Sequence, residues 1–246
     1  MNNAELVFVF VGLAFAATMF GRLVARRAPL RLRPLAAYDT LPALAADAVE
    51  SANRVHFSIG NSSLIDTTTI SALTAAEVIY RMSERLAVSR EMPLITFSDP
   101  LVLGLAQDTL RRAYEFRQNM DYYRSTAAIW YPQGRRSLAF AAGVSSLTAD
   151  LDVDANLLLG RFGPELALIG EQATRHDQTL IAHSDLLEGQ AIAFVQADQV
   201  LLGEELYVGP AYVKGTALEQ GGVVAQDILR WLVILGILLV ALQEAL

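Results

Sequence analysis

Two uncharged apolar runs, residues 6–21 (LVFVFVGLAFAATMFG) and residues 231–242 (WLVILGILLVAL), lie near the two ends of the chain. A bilayer offers no water to satisfy backbone polar groups, so an uncharged run of this length is read as a spanning helix. The first run extends over residues 4–24 when Arg22 snorkels, enough to cross a hydrocarbon core about 30 Å thick. The preceding MNNAE carries no Lys or Arg, and the basic cluster follows the apolar stretch, which is not the pattern of a cleaved signal. That cluster is Arg22, Arg26, Arg27, Arg31 and Arg33. By the positive-inside rule it places the amino terminus outside and the following chain in the cytoplasm. The same arginines suit anionic lipid head groups, at roughly 1 kcal/mol each near the surface.

The second run is lengthened backwards by Ile228 and Leu229 and forwards by Leu246. Arg230 and Trp231 mark its cytoplasmic interface, and Glu244 lies at its far end. The expectation is a two-pass membrane protein with both termini outside and the intervening domain cytoplasmic. The competing reading of the second segment is an amphipathic or buried helix, since Asp227 and Arg230 pair at helical spacing beside a modest apolar stretch. Gly12, Gly21 and Gly236 permit close helix approach, although no GxxxG pair is present. The expected segments are residues 1–27 (first membrane helix and basic flank), 28–53 (linker with a short helix over 41–51), 54–222 (one domain) and 223–246 (second membrane helix).

Composition bounds the middle. Among 246 residues, 19 Lys and Arg face 26 Asp and Glu, for a net charge of −7. That balance argues against a nucleic-acid partner, which requires a concentrated basic surface. The absence of Cys excludes disulfides, thiolate nucleophiles and thiolate metal sites.

From Arg54 onward, short apolar runs alternate with helical periodicity. Strands are expected at residues 54–59, 94–97, 127–131, 156–160 and 179–182, with helices over 68–89, 100–117, 137–151 and 164–175. Asp99-Pro100 is a helix-start signal. Residues 192–197 read as a short helix, and 200–202 and 206–208 as strand-like. Buried-type strands separated by helices indicate a parallel sheet covered on both faces. The fold class is therefore α/β: a Rossmann-like three-layer sandwich with a mostly parallel sheet, flanked by two transmembrane helices.

In such sheets ligands bind beyond the carboxyl ends of the strands, near helix N-termini. The candidate ligand-binding residues at those ends are Asp99, Arg135, Arg136, Arg161, His183 and Asp185, with arginines suited to a phosphate or carboxylate. A plainer reading competes with each. Asp99 is a cap, Arg135 and Arg136 are solvated or subunit-contacting, and His183 is hydrogen-bonded structure, while His56 packs inside the first strand. Tyr122 and Tyr123 read as an interface pair or as a turn on the sheet edge. No GxGxxG follows the first strand, and neither a P-loop nor a GxSxG elbow occurs. The three His are too scattered for a metal site, so no cofactor, metal or catalytic residue is assigned.

His56-Phe57-Ser58-Ile59-Gly60, residues 106–114 (AQDTLRRAY) and Phe140-Ala141-Ala142-Gly143-Val144 carry a resemblance that covers most of the chain from Arg54. It continues in residues 160–165 (GRFGPE), 202–206 (LGEEL) and 226–231 (QDILRW). On these residues the chain resembles an uncharacterised bacterial membrane-protein family, catalogued as a domain of unknown function. The resemblance implies an α/β domain followed by a membrane helix in a bacterial cell membrane, and brings no activity. The expected function is a non-enzymatic, membrane-anchored scaffold or accessory subunit, partnered by the bilayer and by copies of itself or other membrane-complex subunits. The alternatives are a regulatory domain binding an anionic metabolite at the strand ends, and an unrecognised membrane-bound hydrolase using Asp99 and His183.

Overall fold

A computed structural model describes residues 3–27, 32–134 and 137–245. Its strands are β1 (Arg54–Gly60), β2 (Leu94–Phe97), β3 (Ala128–Trp130), β4 (Val153–Arg161), β5 (Thr179–Ser184) and β6 (Gln199–Val200). Its helices are α1 (Asn3–Arg27), α2 (Ala36–Asp39), α3 (Leu41–Ser51), α4 (Thr69–Leu86), α5 (Leu103–Phe116) and α6 (Leu138–Asp150). They continue with α7 (Glu165–Arg175), α8 (Leu187–Gln196), α9 (Gly209–Lys214) and α10 (Ala217–Ala245). The chain divides into two compact units, Met1–Arg33 with Pro210–Leu246, and Pro34–Gly209.

In the second unit every strand pairing is parallel, and the order across the sheet is β3-β2-β1-β4-β5-β6. This is the doubly wound order, in which successive right-handed crossovers run outward from the centre in both directions. Helices α3, α4 and α5 pack together, and α6, α7 and α8 form a second group. The second group closes a core of Phe140, Val144, Leu158, Phe162, Leu166, Ile169 and Leu180. Leu157 and Leu159 alternate to the opposite side of β4 and are equally buried, as a strand covered on both faces requires.

The elements follow from local chemistry. Apolar Ala72, Ala75, Ala76, Ile79, Met82 and Leu86 recur at helical spacing and are the buried stripe of α4. Asp99 accepts from the backbone N–H of Leu101 at 2.9 Å, starting the 3₁₀ turn Pro100–Val102 that runs into α5. The expected strand at 206–208 is corrected: the chain forms a 3₁₀ turn at Gly203–Glu205 and proceeds to α9. β6 is only two residues long, and the expected helix at 192–197 is the end of the earlier-starting α8.

A buried polar seam crosses the sheet beneath α6. Thr148 C=O only accepts, so it takes its 2.8 Å bond from Gln178 Nε2, and Gln178 Oε1 accepts from Asn156 Nδ2 at 2.8 Å. Asn156 Oδ1 then faces His56 Nδ1 at 2.8 Å, which makes Nδ1 the protonated nitrogen. His56 Nε2 lies 2.8 Å from Thr96 Oγ1. Burial drives the His56 pKa down to about 4, the Asn156 hydrogen bond opposing it, so the ring is neutral.

The other unit is a helix pair. α10 contains a segment, Leu218–Leu238, long and apolar enough to cross a membrane by length and composition. α1 is a 25-residue helix exposing Phe8, Val11, Phe15, Met19 and Phe20. The helices meet where Gly21 lies against the backbone of Gly221, so that a Cβ on Gly21 overlaps the Gly221 carbonyl. Ala17, Gly21 and Ala25 form the buried stripe of α1, and Gly221 and Ala225 its counterpart on α10. Small residues four apart let two backbones approach. Gly21 is identifiable in the sequence as a close-approach position, whereas Gly12 and Gly236 meet nothing within 4 Å.

Candidate functional site

The connections from β1 and β4 leave the sheet in opposite directions, which opens a crevice at their carboxyl ends in doubly wound folds. Here the chain fills that position itself. Gly60 has φ +62° and Gly160 φ +152°, conformations that side chains resist. A Cβ at Gly60 overlaps Arg161 C=O and the ring of the fully buried Phe162, and one at Gly160 overlaps Ile59 C=O. Gly189, in the first turn of α8, lies equally close to Phe162 C=O.

Hydrogen bonds seal the same place. Asn61 N–H donates to Arg161 C=O at 2.8 Å, and Arg161 N–H donates to Ser62 Oγ at 2.9 Å. Ser98 N–H reaches Gly60 C=O at 2.9 Å, and Asp185 N–H reaches Gly160 C=O at 3.0 Å. Ser184 Oγ donates to Phe162 C=O at 2.6 Å while accepting from Leu186 N–H at 3.0 Å. These backbone donors are bonded within the chain.

Three of the expected site residues lie around this closure. Arg161 places Nη1 3.9 Å from Asp66 Oδ2. Asp66 itself accepts from Thr68 N–H at 2.7 Å and from its hydroxyl. Those two Thr68 bonds, side chain first, hold the Asp66 carboxyl below the usual range. His183 and Asp185 approach at 3.3 Å. Asp185 Oδ1 also accepts from Tyr207 OH at 2.9 Å, and that phenol bonds Ser71 Oγ at 2.9 Å. Burial pushes the Asp185 pKa up, but the bonds from His183, Ser71 and Tyr207 outweigh it and hold the carboxyl below its ordinary value.

His183 is fully buried, with Nδ1 3.0 Å from Leu201 C=O. Among the described residues no serine hydroxyl bonds His183, and Ser71 is itself buried. The group is a clasp tying the start of α4 to the end of β5 and to the turn after β6.

Asp99 is engaged in its own cap, away from this clasp. Arg135 and Arg136 lie outside the described residues, as does Arg31 of the membrane-interface set. Of that set, Arg22, Arg26, Arg27, Arg33, Arg230 and Trp231 are exposed, and Arg230 Nη1 stands 3.5 Å from Asp227 Oδ1, as their spacing predicts. Tyr123 donates to Gln107 C=O at 3.3 Å, with its ring 6.4 Å from that of Tyr114, so the tyrosine pair belongs to a turn packed on α5.

Ser71 and Tyr207 escape a sequence reading because one reads as helix interior and the other as strand. Asp66 has a signal, the cluster Asp66-Thr67-Thr68 before an apolar helix. A cleft of about 420 Å³ at the opposite end of the sheet is lined by Thr174, Gln178, Thr179, Asp198 and Gln199. Among the described residues no group of three His, Asp or Glu is placed to hold a metal ion.

No curated protein and no solved structure matches the chain. One family model does match, over residues 1–246, and by this the chain belongs to the family described as domain of unknown function DUF6754.

Proposed function

We propose that the protein is a two-pass membrane-anchored, non-enzymatic scaffold or accessory subunit, acting through protein contacts in a homo-oligomer or larger complex. The observation that carries this reading is the filled switch point: Phe162 and the backbone groups of residues 60–62 and 160–162 occupy the place of a ligand. A domain with that crevice closed and its backbone donors bonded within the chain offers surfaces at this place in the fold.

The anchoring part rests on the helix pair. α1 and α10 turn Gly21, Ala17 and Gly221 toward each other and leave Phe8, Phe15, Trp231 and Ile237 outward, the distribution of helices whose solvent is lipid. Arg22, Arg26 and Arg27 follow the first helix and orient the domain to the cytoplasm, with both termini outside. A membrane of the bacterial type accords with the sequence resemblance.

Affinity purification of the full chain from its native membranes, followed by native mass spectrometry, tests the function. Self-assembly or a stoichiometric membrane subunit is expected, and a lone monomer overturns it. Because the chain lacks Cys, single cysteines introduced at Asn3 and Glu244 report topology. Labelling from outside is expected at both.

A further inference from the structure

The outward face of α8 is apolar, in a helix whose inward face already contributes Gly189 and Ala193 to the buried interior. Leu187, Phe194 and Val195 are 85%, 66% and 82% exposed, and Ala191 is exposed between them. Spacings of four, seven and eight residues put all four on one stripe. Leu168 of the adjoining α7 adds a further apolar side chain, 49% exposed. An amphipathic helix normally spends its apolar stripe on the core; α8 has one stripe for the core and another for solvent.

We propose that this second stripe is where another copy of the same chain docks, α8 against α8 across a two-fold axis passing by Ala191. The inference deepens the assembly reading above and rests on it. Three features select this occupant. The stripe reads large, small, large in either direction: Leu187, Ala191, Val195. Under a two-fold axis Leu187 of each copy therefore meets Val195 of the other, while Ala191 at the centre permits close approach. The antiparallel pairing also sets opposite helix ends together, which suits their dipoles.

The second feature is charge. α8 contains no Lys or Arg, and its ionisable residue is Glu188. Helices that lie on bilayers border their apolar face with basic residues, so a lipid surface fits poorly. The third is area. The stripe and Leu168 expose on the order of 500 Å² of apolar side chain, at the upper end of single patches on monomers. A standard interface takes about 800 Å² from each partner, and copies confined to one membrane meet at raised effective concentration, which lowers the area needed.

The absence of native Cys makes a direct test available in the full chain, in nanodiscs or mild detergent. Mild oxidation of an Ala191→Cys variant is expected to give a reducible covalent dimer. A control Asp108→Cys on α5 should give no covalent dimer. The double variant F194E/V195E should lower the dimer fraction at least tenfold in native mass spectrometry without moving Tm. Persistent oligomers with Ala191→Cys silent and F194E/V195E without effect overturn the α8 assignment and leave the scaffold reading standing. Release of a different protein by F194E/V195E, with Ala191→Cys silent, overturns it as well. A lone monomer at every concentration defeats both readings.

Discussion

Glycine brings backbone against backbone in each unit, at the β1–β4 switch point and at the meeting of α1 with α10, but the two contacts are completed differently. At the switch point Gly60 and Gly160 adopt φ values of +62° and +152°, and the space they leave is filled by Phe162 and sealed by hydrogen bonds. In the helix pair, Gly21 and Gly221 sit within regular helix and serve only to remove side-chain bulk. In the α/β unit buried polar groups must be paired, so closing a crevice requires a network. Two helices satisfy their own backbones, and approach is limited by side-chain size alone.

Four substitutions or conditions break or sharpen this contrast. The largest effect belongs to Phe162→Ala, which leaves a cavity beneath Gly60 and should cost about 3–5 kcal/mol by denaturant titration. The loss should appear in unfolding of residues 34–209 and not in the helix pair. The two Trp separate the units, since Trp130 reports one and Trp231 the other, and single-Trp variants read each alone.

Acid comes next. The His56 pKa is about 4 in the folded protein, against 6.5 for a histidine side chain free in water. As pH falls below 6.5 the unfolded chain takes up a proton that the folded one refuses until about 4, so stability declines across that window and is flat above it. The accumulated loss is roughly 3 kcal/mol. His56→Gln should flatten the slope of stability between pH 6.5 and 4, and an unchanged slope would show that His56 does not carry it.

Gly21→Leu should cost roughly 1–3 kcal/mol through overpacking against Gly221, or split the helix pair. Cysteine cross-linking between α1 and α10 in otherwise unchanged protein detects the split, and Trp130 should register nothing. Asp99→Ala is the smallest: loss of the cap on Leu101 N–H should cost about 1 kcal/mol by thermal melt. A larger loss, or any change in ligand affinity, would return Asp99 to the candidate site.

Much of the fold is legible in the sequence. β2 appears at 94–97 and α3 at 41–51, because a buried run between breakers and an Ala-rich stretch after proline each permit a single local structure. The 206–208 segment misleads because Leu-Tyr-Val has strand propensity, yet Tyr207 is drawn to Asp185 and Ser71 in a turn. The candidate site is half legible. His183 and Asp185 are two residues apart and announce themselves, whereas Ser71, Asp66 and Tyr207 reach them only through the packing of α4 and the turn after β6.

The sequence by itself determined the parallel α/β architecture, the capped start before α5, and a C-terminal helix long and apolar enough for a bilayer, since each rests on periodicity and local chemistry. Tertiary structure alone decided that the switch point is closed, that Gly21 finds Gly221 about 200 residues away, and that α8 keeps an apolar stripe outside. Those outcomes depend on which distant residues meet, and side-chain periodicity records a face without recording its partner.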